Sequence, residues 1–260
     1  MSRVRTVIAE ATAEGRGVLV GYLPAGFPTV DDSIEAVIAL AEGGADIIEL
    51  GVPYSDPVMD GVVIQRATNE ALENGFRVRD VFTIISAVTA RVNVPILVMT
   101  YWNPVVQYGV ERFATDLAAA GGAGLITPDL IPDEAAEWIS ASDAHGLDRV
   151  FLAAPSSTDE RLAATVTASR GFVYAVSTMG ITGTRDDLDA AARALVERLR
   201  AVGADSVCVG VGISNAEQVA SVCEYADGAI VGSLLVKTLA DEGVDAVRNV
   251  TAALAAGAHG

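Results

Sequence analysis

Short runs of apolar, largely β-branched residues recur along the chain and alternate with longer stretches of helical character. Eight of these runs predict β-strands, at residues 17–22, 46–50, 95–99, 123–127, 149–153, 172–176, 205–209 and 228–231. Because nearly every position in a run is apolar, the strands are expected to be parallel and buried on both faces.

Helical patterns occupy the intervals between these runs. In residues 31–42, Ile34, Val37, Ile38 and Ala41 form an apolar stripe with the spacing of an α-helix. Similar patterns cover residues 4–14, 62–73, 78–91, 133–145, 159–168 and 188–200. The first precedes all the strands and is expected to close the bottom of a barrel, whereas two others fall between the second and third strands.

Eight β–α alternations without a linker predict a single (β/α)8 TIM barrel over residues 1–260, with an extra N-terminal helix and one additional helix between strands 2 and 3. A doubly wound open sheet is the alternative. That fold usually has fewer strands and carries a G-x-G-x-x-G turn after the first strand, which this sequence lacks.

The charge balance narrows the range of partners. With 17 basic and 34 acidic side chains the formal net charge is −17, which keeps the protein soluble and repels nucleic acids and anionic membranes. A phosphorylated ligand would therefore have to be held locally, by backbone N–H groups rather than by a basic surface.

Neither metal binding nor secretion is indicated. Cys208 and Cys223 form no C-x-x-C pair, and His145 and His259 lack the spacing of metal ligands, so we expect reduced thiols and no metal site. No apolar run has the length of a signal peptide or a transmembrane helix, which predicts a cytoplasmic location.

Two acidic residues stand where a barrel usually places its chemistry, at the ends of strands and in the loops that follow. Glu49 ends an otherwise apolar strand, so it needs either a partner in an ion pair or a function. Asp60 lies in the loop after that strand, where an ordinary turn would also explain it. If both face one cavity, they provide the acid and the base of a proton-transfer reaction.

Glycine-rich segments follow the sixth, seventh and eighth strands, at residues 180–184, 210–214 and 232–233. Glycines in such loops either turn the chain or let backbone amides approach an anion. Since barrels often bind phosphate with the loops after strands 7 and 8, three adjacent segments favour a phosphate site.

Several large side chains are predicted at the same end of the barrel. They belong either to the barrel core or, as a set, to an apolar pocket for an aromatic ligand with a phosphorylated tail: Tyr22, Met99, Tyr101, Ile126, Phe151 and Tyr174.

The chain resembles the tryptophan synthase alpha subunit family from about residue 15 to residue 239. The matching segments are GYLPAGFP at 21–28, IELGVPYSDP at 48–57, DG at 60–61, MTYWNP at 99–104, ITPDL at 126–130, GITG at 180–183 and GVGIS at 210–214. The stretch from Glu49 to Gly61 is the most specific, because other phosphate-binding barrels share the glycine loops.

The resemblance implies a carbon–carbon lyase of tryptophan biosynthesis that cleaves indole-3-glycerol phosphate to indole and glyceraldehyde 3-phosphate. In that comparison Glu49 matches the family's acid–base residue, and Asp60 matches the carboxylate that holds the indole N–H. The implied substrate-binding residues are Tyr22, Met99, Tyr101, Ile126, Tyr174, Thr182, Gly183, Val211, Gly212, Gly232 and Ser233. Among them, Thr182 corresponds to a residue of a loop that closes over the site and contacts Asp60.

The resemblance also implies an α–β–β–α heterotetramer with a beta subunit. This chain would hold no cofactor, while the beta partner would carry pyridoxal phosphate. The partner-facing positions are Asp56, Pro57, Asn103 and Pro104. The alternatives are a non-catalytic activating subunit, a stand-alone indole-releasing lyase, or another barrel enzyme such as an indole-glycerol-phosphate synthase or a phosphoribosylanthranilate isomerase. The single lysine, Lys237, argues against a lysine-dependent synthase.

Overall fold

The computed structural model of the protein describes residues 2–176, 185–210 and 212–260. Within these ranges the strands are β1 Val18–Pro24, β2 Ile47–Gly51, β3 Ile96–Met99, β4 Gly124–Thr127, β5 Asp148–Ala153, β6 Val173–Val176, β7 Val207–Gly210 and β8 Gly228–Val231. The helices are α1 Arg3–Ala13, α2 Val30–Glu42, α3 Val62–Glu73, α4 Val78–Thr89, α5 Trp102–Tyr108, α6 Val110–Ala119, α7 Ala136–His145, α8 Asp159–Ala168, α9 Arg185–Ala201, α10 Ala216–Cys223, α11 Ser233–Glu242 and α12 Val244–His259, with a 3₁₀ turn at Pro132–Glu134.

The eight strands form one closed parallel barrel in sequence order. The register pairs Tyr22 with Glu49 and Glu49 with Leu97, and β8 closes on β1 through the pairing of Val18 with Gly228. The predicted (β/α)8 TIM barrel is therefore confirmed. Parallel alignment also brings the carboxyl ends of all eight strands to one end of the barrel, where the candidate site residues lie.

Apolar side chains pack in two layers, as alternation along a strand requires. One layer lies between the strands and the surrounding helices and includes Leu19, Ile48 and Leu50. The other fills the barrel interior, where Val4 and Ile8 of α1 pack in one cluster with interior residues of the strands. Helix α1 thus closes the bottom of the barrel, and its N-cap Ser2 donates a hydrogen bond of 2.6 Å to buried Asp148.

The predicted helix before β1 and the predicted pair α3 and α4 between β2 and β3 are both present. Three features were not predicted: the pair α5 and α6 after β3, helix α10, and the pair α11 and α12 after β8. Helix α5 has only seven residues and follows directly from β3. A segment of two helical turns is too short for a periodic pattern to stand out.

No helix in the described ranges combines the length and the apolar composition that crossing a bilayer requires.

Candidate active site

A cavity of about 500 Å³ opens at the carboxyl ends of the strands. Glu49 and Asp60 both line it, together with Gly212, Gly232 and Ser233. The structure therefore brings the two predicted carboxylates and part of the predicted phosphate site into one space, whose wall also carries apolar side chains. The apolar lining includes Tyr22, Met99, Leu152, Tyr174, Val176 and Ile230.

Glu49 is a carboxyl group almost completely removed from water. It is 1% exposed, and its Oε1 atom has no hydrogen-bond partner among the described residues. Burial raises the pKa of this carboxyl to about 8, because the charged form loses its hydration and no charged group among the described residues replaces it. An ion pair does not account for Glu49 in the described part of the chain, and the carboxyl is largely protonated at neutral pH.

Asp60 has a different environment, set by the hydroxyl group of Tyr101. That hydroxyl donates a hydrogen bond of 3.0 Å to Asp60 Oδ1 and accepts hydrogen bonds from the amides of Val58 (3.1 Å) and Met59 (2.9 Å). Partial burial raises the pKa of Asp60, while the bond from Tyr101 favours the ionised form and opposes that rise. The two carboxylates thus differ in exposure and in hydrogen bonding, as an acid and its companion anion should.

Part of the cavity wall is built from glycine backbone and a helix start. Gly212 has φ +69°, a conformation that side chains other than hydrogen make costly. Ser233 is the first residue of α11, and no side chain caps the start of that helix. The first N–H groups of a helix have no partner within it, so they are available to an anion. This arrangement suits a phosphate group.

The predicted lining residues do not all reach the cavity. Tyr22, Met99 and Tyr174 line it, whereas Tyr101 holds the Asp60 loop from a smaller adjoining space. Ile126 is fully buried in the interior cluster and lies outside the cavity wall. Its side chain packs among the other interior residues of the strands, beside its register partner Met99 on β3.

On β5 the sequence-based choice was wrong by one residue. Phe151 packs in the layer between strands and helices, and Leu152 lines the cavity. Neighbouring strand residues point to opposite faces, and the uniformly apolar strand gives no pattern that separates the two. Ser214, in the predicted segment 210–214, lines the cavity, and Lys237 lines it without having been predicted to do so. The signal for Lys237 was its position, one helical turn into α11.

Three predicted binding residues, Thr182, Gly183 and Val211, lie outside the described residues. Their roles stay predictions.

The predicted partner-facing positions differ in their accessibility. Asp56 and Asn103 are exposed and Pro57 is partly exposed, but Pro104 is buried and offers little surface to a partner. The side-chain amide of Asn103 donates a hydrogen bond of 3.2 Å to the Tyr54 hydroxyl. The centres of the Tyr54 and Tyr101 rings are 5.3 Å apart. The exposed Asn103 side chain is therefore linked through the Tyr54 ring to Tyr101, the residue that holds Asp60.

Within the described ranges, no group of three or more His, Cys, Asp or Glu side chains is placed to bind a metal ion.

Comparison with known proteins agrees with this architecture. The family model described as "Tryptophan synthase alpha chain" matches residues 8–259. Similar proteins include the tryptophan synthase alpha chain of Leifsonia xyli, 66% identical over 99% of both chains. That of Thermobifida fusca is 58% identical and covers 99% of this chain and 98% of its own length.

Solved structures give the same result. A tryptophan synthase structure from Mycobacterium tuberculosis contains a chain that is 56% identical, with a TM-score of 0.94 and coverage of 99% of this chain and 98% of that one. A chain of the tryptophan synthase complex from Pyrococcus furiosus is 36% identical, with a TM-score of 0.83 and coverage of 92% and 98%. The chain belongs to the tryptophan synthase alpha chain family, and it is a carbon–carbon lyase that cleaves indole-3-glycerol phosphate.

Proposed function

We propose that Glu49 and Asp60 divide the proton transfer and charge stabilisation of the family's retro-aldol reaction between them. The observation that carries this proposal is the contrast between the two carboxyl groups in one cavity. Glu49 is buried with a pKa of about 8, and Asp60 is partly exposed and hydrogen-bonded by Tyr101.

The reaction needs a proton at carbon and the loss of a proton from oxygen. Protonated Glu49 delivers a proton to C3 of the indole ring. The resulting carboxylate removes the proton of the hydroxyl group on the side-chain carbon attached to C3. The bond between that carbon and C3 breaks, its electron pair returns to the ring, and the aldehyde of glyceraldehyde 3-phosphate forms. Glu49 ends protonated, so protons and electrons balance over the cycle.

Asp60 stabilises the charge that appears between these two steps. Protonation at C3 makes the ring cationic, and the charge spreads to the indole nitrogen. An ionised Asp60 that accepts a hydrogen bond from the indole N–H lowers the energy of this intermediate, because the group is already oriented by Tyr101. Without the hydrogen bond from the Tyr101 hydroxyl, Asp60 would be less well oriented and would stabilise the cationic intermediate less.

The substrate is held with its two ends in different surroundings. The indole ring lies among Tyr22, Met99 and Leu152, and the phosphate lies against the amides near Gly212 and Ser233. Thr182, Gly183, Val211 and Gly232 complete the phosphate end and its cover, as the resemblance implies. Backbone donors suit a chain of net charge −17, which offers no basic surface to attract an anion.

The chain works with a beta subunit in an α–β–β–α assembly, in the cytoplasm. This assignment is supported by the similar chain that comes from a tryptophan synthase complex. The alpha chain needs no cofactor for the acid–base steps above, and the beta partner carries the pyridoxal phosphate. Asp56, Pro57 and Asn103 face this partner.

Substitution of the two carboxylates tests the assignment. Glu49→Gln and Asp60→Asn should each lower the rate of indole release by about 10²–10⁴-fold, the usual contribution of a general acid or base. Glu10→Gln, on an exposed position of α1 at the opposite end of the barrel, is the matched control and should keep the native rate. Near-native turnover by Glu49→Gln would exclude it as the acid. Native ligand-dependent activation of the beta subunit without any indole release would instead indicate a non-catalytic activating subunit.

A further inference from the structure

The only lysine of the chain lies beside the proposed phosphate site. Lys237 lines the same cavity as Gly212, Ser214 and Ser233, and it is the one cationic side chain on the cavity wall among the described residues. The acidic groups on that wall are Glu49 and Asp60. A phosphorylated ligand therefore meets two carboxyl groups and a single ammonium group.

Lys237 stands where its side chain can reach the start of α11. Lys237 stands four residues after Ser233, the first residue of α11, and three after Leu234. Residues at these spacings share one face of a helix, and side chains lean toward the helix N-terminus. All three residues line the cavity, which agrees with a shared face. The Lys237 side chain is long enough to reach along one helical turn.

In the structure the Lys237 ammonium group lies away from the start of α11. It forms an ion pair with Asp241, one turn further along α11, and the two side chains are 65% and 54% exposed. Exposed pairs of this kind contribute little, because water screens both charges. A phosphate dianion at the start of α11 carries more charge and competes with Asp241 for the same ammonium group.

We propose that Lys237 leaves Asp241 when substrate binds and donates a hydrogen bond to the substrate phosphate. The lysine is thus a binding residue that selects phosphorylated ligands by charge, in addition to the backbone amides. The inference rests on the proposed placement of phosphate at Gly212 and Ser233.

Calorimetric titration with glycerol 3-phosphate, the phosphorylated half of the substrate, tests this directly. Lys237→Gln should weaken binding about tenfold, the effect of losing one charge-assisted hydrogen bond at a partly exposed site. In kinetics the same variant should raise KM for indole-3-glycerol phosphate by a similar factor and change kcat less than twofold. Asp241→Asn, which removes the competing partner, should strengthen binding of glycerol 3-phosphate.

Arg248→Gln is the matched control. It removes one positive charge from α12, where Arg248 pairs with Glu42 at the end of α2 and Asp245, away from the cavity. If Lys237→Gln binds glycerol 3-phosphate as tightly as Arg248→Gln and the native chain, the lysine has no role and the inference is overturned. Failure of the native chain to release indole would refute the proposed reaction, and the titration would still decide the role of Lys237.

Discussion

Replacing Glu49 with glutamine should make the protein more stable while it slows catalysis. The carboxyl is 1% exposed and its pKa rises from 4.5 to about 8 on folding. Between these two values the folded state binds more protons than the unfolded state, so stability falls as the pH rises. Glutamine has nearly the same shape and does not ionise, so it avoids this loss.

The size of the effect follows from the pKa difference. Each pKa unit corresponds to about 1.4 kcal/mol, so the native carboxyl costs about 1 kcal/mol at pH 5 and about 3 kcal/mol at pH 7. The cost levels off above pH 8, when Glu49 is ionised in both states. The free energy of unfolding of Glu49→Gln should therefore exceed that of the native chain by an amount that grows from pH 5 to pH 7 and is largest above pH 8.

Urea unfolding at pH 5, 7 and 8.5, followed by circular dichroism, measures the difference. Glu10→Gln, an exposed substitution of the same kind, is the matched control. A stability difference between Glu49→Gln and the native chain that stays constant from pH 5 to pH 8.5 would refute the raised pKa, and with it the claim that Glu49 is protonated in the free site.

Three other substitutions have expected effects that can be measured. Tyr101→Phe removes a hydroxyl that contacts Asp60 and two loop amides, so kcat should fall about tenfold. The pKa of Asp60 should also rise, and the acidic limb of the pH profile of kcat/KM should shift to higher pH. Gly212→Ala places a side chain at φ +69°, at a cost of about 1–2 kcal/mol, and should raise KM more than it lowers kcat in steady-state kinetics. Asn103→Ala, which loses the bond to Tyr54, should weaken association with a beta subunit in calorimetry; unchanged affinity would remove Asn103 from the interface.

The barrel could be predicted because its strands have a clear signal in the sequence. Each strand is a short apolar run, and the last, at residues 228–231, was placed with its observed bounds. The short helix α5 escaped prediction, since helical periodicity over two turns is weak. The bounds of α11 and α12, after β8, were not predicted either.

The site could be predicted less completely than the fold. Glu49 stood out as a charge in an apolar strand, and the structure places it at the cavity with Asp60. Phe151 was predicted to line the pocket, but Leu152 lines it instead. When both faces of a strand are buried, side-chain polarity cannot distinguish the residues that face the barrel interior from those that face the helices. Tyr101 was predicted as a lining residue, but its hydrogen bonds to the Asp60 loop depend on tertiary structure that spacing does not reveal.

Product analysis of the native chain tests the central claim most directly. The purified chain, with a beta subunit present and serine absent, is mixed with indole-3-glycerol phosphate, and both products are quantified. The account predicts indole and glyceraldehyde 3-phosphate in a 1:1 ratio, which follows from cleavage of a single bond, and a rate about 10²–10⁴-fold lower with Glu49→Gln. Consumption of substrate without indole, or equal indole release by Glu49→Gln, would contradict it.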